Sequence, residues 1–152
     1  MENRVNRELK MTRVLQAPIG LVWKAWTEPE YLTRWWGPRD HTTTIHKMDF
    51  REGGEWKLTL HHQVTGQDYA NRSIFREIVP LKRIVFEHFN PHFIATVLFV
   101  DKGGKTEIEW CLLFDTEEMF ATVIKVFNAK EGQVQNFERL EQYLAQLKKP
   151  KP

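Results

Sequence analysis

The feature that most constrains the fold of this chain is a series of six strand-like runs joined by very short turns, between residues 42 and 114. Apolar and polar residues alternate in several runs, and Trp56, Leu58 and Leu60 share one face of the second. Short turns force antiparallel pairing, because a parallel strand needs a long crossover connection. The predicted strands are 42–50, 55–62, 68–79, 83–89, 93–100 and 106–114.

Two short helices are predicted between a first strand, 8–17, and this series. The first begins near Pro18, because a proline in the first helical turn has no N–H to leave unpaired. The second is predicted to be capped by Thr27 and to run through Trp36 to a stop at Gly37 and Pro38. Four of the six tryptophans therefore lie in this short stretch.

A long amphipathic helix near the C-terminus is the predicted cover for the sheet. It is predicted from Gln133 onward, after a helix over 117–127 and a break at 129–132. Alternating strands need a cover on one face, so the sequence predicts an α+β fold in which an antiparallel sheet packs on this helix. Ligands bind in the space that such an arrangement leaves. The predicted apolar stripe is Val134, Phe137, Leu140, Leu144 and Leu147.

Length and charge indicate one domain over 1–152, with a core at about 9–147 and a flexible tail at 148–152. The numbers of basic and acidic residues, 22 and 20, are nearly equal, and the net charge of +2 does not favour nucleic acid as a partner. No apolar run approaches the roughly 20 residues that span a bilayer, so membrane insertion is not expected. Cys111 is the only cysteine and the N-terminus is polar, so we expect a cytoplasmic protein without an internal disulfide.

Several stretches carry a family resemblance: APIGLVWKAWTEPEYLTRWWGP, DFREGGEW, FREIVPLKRIVF, GGKTEIE and RLEQYL. In this order they resemble the family similar to the C-terminal domain of the activator of the Hsp90 ATPase, in the START-like, helix-grip (SRPBCC, Bet v 1-like) superfamily. The resemblance implies a curved antiparallel sheet around a long C-terminal helix. That superfamily includes lipid carriers, hormone binders, aromatic cyclases and chaperone activators. Many relatives carry a tryptophan shortly after the glycine of the last helix, where this chain has Gly132, Gln133 and Val134.

The function we predict is non-covalent binding of a small hydrophobic or aromatic molecule between the sheet and the last helix. His46 has the strand parity of Met48, and Asn71 and Glu77 have that of Phe75, so these polar residues are expected to face inward. A buried Glu77 would have a raised pKa and is a weak catalytic candidate. The predicted apolar lining is Trp36, Met48, Trp56, Phe75, Trp110, Phe137 and Leu140.

Two alternatives come from other functional classes. One is a chaperone-linked or stress-response module that contacts a chaperone or a second copy through Trp35 or Trp36. The other is a cyclase-like enzyme, which is less favoured because Ser73 and Cys111 are the only serine and cysteine and neither lies on a nucleophile elbow. His88 and His92 flank a turn without a supporting ligand cluster, so neither a metal nor a cofactor is expected.

Overall fold

The computed structural model describes residues 4–148, without the side chains of residues 126, 127 and 148. It shows a seven-stranded antiparallel sheet with a long C-terminal helix, which confirms the predicted α+β, helix-grip fold. The spatial strand order is β1-β7-β6-β5-β4-β3-β2, so β1 and β2 are the edges. The predicted tail lies outside the described residues, except for the helical backbone at Lys148. The strands are β1 (Glu8–Leu15), β2 (His41–Met48), β3 (Glu55–His62), β4 (Asp68–Val79), β5 (Arg83–Phe89), β6 (Phe93–Asp101) and β7 (Thr106–Phe114).

The helices are a 3-10 turn (Arg4–Arg7), α1 (Ile19–Thr27), α2 (Pro29–Leu32), α3 (Glu117–Phe127) and α4 (Ala129–Lys148). Glu28 separates α1 from α2 in the extended conformation (φ −105°, ψ 125°) that a following proline favours. The predicted cap at Thr27 is wrong. Its hydroxyl donates to the carbonyl of Trp23 at 2.9 Å, inside α1, and Glu28 takes the N-cap position without a side-chain bond.

Helix α2 ends at Leu32, four residues earlier than predicted. Neighbouring residues of a helix point about 100° apart, so a continuing helix would have separated Trp35 from Trp36. Turns at residues 33–35 let both indoles face the core: Trp35 is fully buried and Trp36 half-buried. Gly37 follows at φ +100°, and a Cβ there would lie 2.9 Å from Cδ2 of Leu60.

Helix α4 begins earlier than predicted and presents a different face. Asn128 ends α3 in the left-handed conformation (φ 50°), so the predicted break at 129–132 is helical. Val134 is only half-buried and Leu147 is exposed. The buried stripe therefore lacks Val134 and Leu147, the two ends of the predicted stripe, and includes two amide side chains instead. Its residues are Gln133, Asn136, Phe137, Leu140 and Leu144.

The main core lies between the inner face of the sheet and helices α1, α2 and α4. A smaller apolar cluster of Leu9, Phe114 and Val123 packs under α3 at one end of the sheet. The candidate site therefore has to be sought on the inner face, where the main core places most of the aromatic rings.

Candidate functional site

Five of the six tryptophans form one group of rings, which we call the indole cluster. The half-buried Trp36 ring lies within contact of the other four. Its centroid is 5.7 Å from that of Trp26, 5.4 Å from Trp35, 5.0 Å from Trp56 and 5.5 Å from Trp110. The other four rings are buried, so Trp36 is the member of the cluster that reaches the surface.

The structure brings the predicted apolar residues together around these rings. Phe137 on α4 contacts Trp110 edge to face, with centroids 5.4 Å apart. Phe75 on β4 stacks on Trp56 at the same centroid distance and an interplanar angle of 10°. The predicted lining residues all belong to the main core or pack on it: Trp36, Met48, Trp56, Phe75, Trp110, Phe137 and Leu140.

Four buried polar atoms in this region have no hydrogen-bond partner within the part of the chain that the structure describes. They are Nε1 of Trp26, Trp56 and Trp110, and Oε1 of Gln133. Each of these residues is at most 5% exposed. Leaving one such group unpaired costs about 1–3 kcal/mol, and buried polar groups in folded proteins are nearly always paired. Four such atoms among these rings and the neighbouring Gln133 are therefore a polar feature that packing alone does not account for.

Trp35 is different, because its Nε1 donates to the carbonyl oxygen of Ala25 at 3.0 Å. Gln133 is only half-satisfied: Nε2 donates to the backbone carbonyl of Trp110 at 3.2 Å, while Oε1 is left unpaired. The amide therefore connects α4 to β7 and keeps one acceptor free inside the core.

Residues 35–38, which we call the Trp36 loop, are attached to α4 by side chains that donate to backbone carbonyls. Asn136 Nδ2 donates to the carbonyl of Trp35 at 3.0 Å. Nη1 of Arg139 lies 3.0, 3.0 and 3.1 Å from the carbonyl oxygens of residues 36, 37 and 38. Thr43 on β2 donates its hydroxyl to the Trp36 carbonyl at 2.7 Å. Burial lowers the pKa of Arg139, because its guanidinium is partly withdrawn from water.

The inward placement of His46 is wrong. The register of β2 on β3 shifts between Ile45 and Lys47, and an extra residue reverses the faces of the side chains that follow it. Ile45 and Met48 consequently both pack on the core, while His46 is exposed and bonds through Nε2 to the hydroxyl of Thr59 at 2.7 Å.

The inward placement of Glu77 is wrong for the same reason. The register of β4 on β5 shifts between Phe75 and Glu77, and Ile78 takes the inward position beyond the bulge. The Glu77 side chain is 43% exposed and forms an ion pair with Arg83. It therefore lacks the burial on which its role as an acid–base candidate depended.

Asn71 does lie on the inner face, but beside His88 rather than in the indole cluster. Its Oδ1 is 2.7 Å from Nε2 of His88, and its Nδ2 donates to the carbonyl of Tyr69 at 3.1 Å. His88 also bonds through Nδ1 to the carbonyl of Pro91 at 2.8 Å and stacks on Phe93. Burial lowers the pKa of His88. Both polar atoms of the Asn71 amide thus already have a partner in a neighbouring residue.

Two cavities open on other parts of the surface. One, of about 330 Å³, lies on the sheet face opposite α4. Cys111 lines this cavity, so its side chain lies on the outer face of the sheet, as predicted. The residue is nevertheless buried, and burial raises the pKa of its thiol to about 11. The other, of about 410 Å³, lies between α2 and β2 and is lined by Pro29, Glu30, Thr33, Ile45, His46, Lys47 and Met48.

Sequence reasoning missed four residues of the site: Trp26 as an unpaired donor, and Gln133, Asn136 and Arg139 on α4. The available signal was the pair of amides three residues apart in an otherwise apolar stripe.

Residues 4–148 hold neither a metal-binding group of side chains nor a membrane-spanning helix. No three His, Cys, Asp or Glu side chains are grouped so that they could hold a metal ion. Within the same residues, no helix is long and apolar enough to cross a membrane.

The sheet wrapped on α4 has the α+β, helix-grip arrangement. A sequence profile described as Activator of Hsp90 ATPase homolog 1-like protein matches residues 16–145. The chain belongs to that family.

Solved structures share this fold at low sequence identity. A protein from Nitrosomonas europaea is 24% identical, with a TM-score of 0.83 over 94% of this chain and 97% of its own. A protein from Arthrobacter aurescens is 19% identical, with a TM-score of 0.87 over 96% and 90%. An AHSA1-like protein from Aeromonas hydrophila is 18% identical, with a TM-score of 0.72 over 95% and 99%. These similarities establish the fold alone. No curated protein sequence matches this chain.

Proposed function

We propose that this protein binds a small, mostly apolar or aromatic molecule, without a covalent bond, between the sheet and α4. The observation that carries the proposal is the set of unpaired indole N–H groups of Trp26, Trp56 and Trp110 around the half-buried ring of Trp36. Each of these indoles lowers the stability of the protein by the cost of burying a donor without a partner. A ligand that accepts from these groups removes that cost.

The route into the site is the Trp36 loop. Trp36 is only half-buried, and its backbone is attached through hydrogen bonds to Asn136, Arg139 and Thr43 rather than through a strand ladder. Side-chain bonds of this kind can break one at a time while the sheet stays intact. The ligand enters when the Trp36 ring turns outward, and it then contacts the rings that Trp36 contacted before.

Binding is favoured over catalysis. The only acid–base candidate from the sequence, Glu77, is exposed and paired with Arg83. The walls of the proposed site are the apolar residues Trp36, Met48, Trp56, Phe75, Trp110, Phe137 and Leu140. Asn71 remains a proposed contact only for a ligand long enough to reach His88.

A chaperone-associated or stress-response role rests on family membership. It has less support from the surface, because Trp35 is fully buried and the Trp36 ring turns into the indole cluster. We therefore place ligand binding first and keep protein binding, including self-association, as an outcome of the test. A cytoplasmic location also stays a prediction, which fractionation of the host cells would check.

The test is native mass spectrometry of the protein purified gently from its own host. The expected result is a mass above that of the bare chain, which disappears under denaturing conditions because the ligand is not covalently attached. Protein that has been unfolded, washed and refolded provides the empty reference, and it should regain the extra mass from a small-molecule extract of the host. A bare monomer in both experiments would overturn the proposal. A bare dimer would overturn it in favour of self-association.

A further inference from the structure

We infer that the ligand is an uncharged aromatic molecule that carries a hydrogen-bond acceptor, and that it binds in the place of the Trp36 ring. This inference rests on the proposed function and names the ligand class of the same site.

The position follows from the ring contacts. Trp36 touches each of the three indoles whose N–H is unpaired, with centroids 5.0–5.7 Å apart. When the Trp36 ring leaves, the space it frees borders Trp26, Trp56 and Trp110 together. A cavity of about 150 Å³ in a protein core is enough for benzene. The freed space therefore fits one or two fused rings. Trp26 meets the Trp36 ring edge to face, and Trp56 and Trp110 are tilted against it, so these indoles favour an aromatic replacement.

The hydrogen-bonding character follows from the unpaired atoms. Three are donors, on Trp26, Trp56 and Trp110, and one is an acceptor, Oε1 of Gln133. The ligand must consequently supply mainly acceptors, which a carbonyl or hydroxyl oxygen on the ring provides. A phenolic hydroxyl would in addition donate to Gln133, because that group both donates and accepts.

The absence of charge follows from what lines the cluster. The indoles, Phe137 and Gln133 are all neutral groups, and a carboxylate buried among them without a cationic partner is strongly disfavoured. Two cations lie beside this region. Arg139 has its Nη1 occupied by the three carbonyls of residues 36–38, and Arg13, whose Cζ is 5.7 Å from the centroid of the Phe137 ring, is paired with Glu141. An anionic ligand would have to take Arg139 from the Trp36 loop or Arg13 from Glu141.

Matched probes test the ligand class. Acetophenone and α-methylstyrene have nearly the same shape, but a C=CH2 group in the second replaces the carbonyl. Both are titrated by calorimetry into the wild-type protein and into Trp36→Ala, together with benzoate as the charged probe. We expect acetophenone to bind about three- to tenfold more tightly than α-methylstyrene, which corresponds to one hydrogen bond. A purely apolar cavity would prefer the hydrocarbon, because the carbonyl loses its hydration without replacement.

Phenylalanine variants locate the donors. Trp56→Phe and Trp110→Phe each keep a six-membered aromatic ring and lose the five-membered ring with its N–H, so each should reduce the preference for acetophenone. Trp23→Phe is the matched control, because the Trp23 ring contacts Phe50 and Phe99 and lies outside the indole cluster. If Trp36→Ala does not fold, these three variants still give the comparison in a chain that retains Trp36.

The outcomes separate the two proposals. If no probe binds wild type or folded Trp36→Ala, the site itself is absent and the proposed function fails with the ligand class. If α-methylstyrene binds as tightly as acetophenone, the site stands but the acceptor requirement is overturned. The same conclusion follows if Trp23→Phe reduces the preference as much as Trp56→Phe and Trp110→Phe do. If benzoate binds most tightly, the requirement for an uncharged ligand is overturned.

Discussion

Replacing Arg139 with methionine should release residues 36–38 of the Trp36 loop from α4, while Asn136 still holds the Trp35 carbonyl. The guanidinium is half-buried, and its Nη1 faces three successive carbonyl oxygens at 3.0–3.1 Å. Methionine keeps an unbranched apolar side chain in the same place but has no donor. Only the Thr43 hydroxyl would then hold the Trp36 carbonyl, and the carbonyls of Gly37 and Pro38 would lose this donor.

The magnitude follows from the bonds that Nη1 can make at one time. It carries two hydrogens, so the three contacts count as two charge-assisted bonds, each worth about 1.5–3 kcal/mol. Releasing the guanidinium from its burial offsets part of the loss, as the lowered pKa of Arg139 indicates, so the lower end applies. We expect Arg139→Met to reduce the free energy of unfolding by about 3 kcal/mol. At this chain length, that loss lowers the Tm by about 6–12 °C.

Urea unfolding measures this change, with an unchanged m-value as the sign that the two-state comparison holds. Arg39→Met is the matched control, because the Arg39 side chain is 62% exposed and its Nη2 lies 3.8 Å from Glu138. Such a surface pair contributes less than about 1 kcal/mol. If the two variants unfold within about 0.5 kcal/mol of each other, the scale of ordinary surface substitutions, Arg139 does not secure the loop.

Three further predictions concern other parts of the chain. Gly37→Ala should destabilise the protein by about 1–3 kcal/mol, because φ at this position is +100° and the new Cβ would lie 2.9 Å from Cδ2 of Leu60. Gly20→Ala in α1 places its Cβ in open space and should stabilise the protein by about 0.5–1 kcal/mol. Thermal unfolding distinguishes the two, because the first variant should lower the Tm and the second should raise it. Glu87 and Asp115 raise the pKa of His92, so protonated His92 stabilises the folded protein. This stabilisation is complete below the usual pKa of a histidine and is lost as pH rises through the pKa of His92 in the folded protein. Burial lowers the pKa of His88, which has the opposite effect: the folded protein loses stability as pH falls and His88 becomes protonated. NMR titration of the two imidazole rings should therefore show a higher midpoint for His92 than for His88. A shared midpoint would contradict this prediction. Cys111, whose thiol pKa is raised to about 11, should react with a thiol reagent at pH 7 far more slowly in folded protein than in urea; equal rates would show that the thiol is accessible.

The antiparallel sheet could be predicted because its signals are local. Alternation sets the face of each residue, and the short turns set which strands pair. Four strands have the predicted bounds, namely β3, β4, β5 and β7. The inward placement of Trp56, Phe75 and Trp110 could be predicted for the same reason, since these residues keep their strand parity.

The polar part of the site could not be predicted from local signals. A bulge depends on the register between two strands, so parity alone misplaced His46 and Glu77. The face of α4 depends on where Asn128 ends α3, and this change brought Gln133 inward. Whether an indole N–H finds an acceptor depends on distances across the core, which periodicity does not contain.

The most direct test of the central claim is the indole region of a ¹⁵N–¹H NMR spectrum of tryptophan-labelled protein without ligand. Trp35 donates to the Ala25 carbonyl and should appear downfield, whereas Trp26, Trp56 and Trp110 should appear upfield, as N–H groups without an oxygen acceptor do. Adding a ligand of the proposed class should move these three signals downfield and leave Trp35 in place. If all four signals are already downfield in the empty protein, the indoles have their partners and the site proposed between the sheet and α4 does not exist.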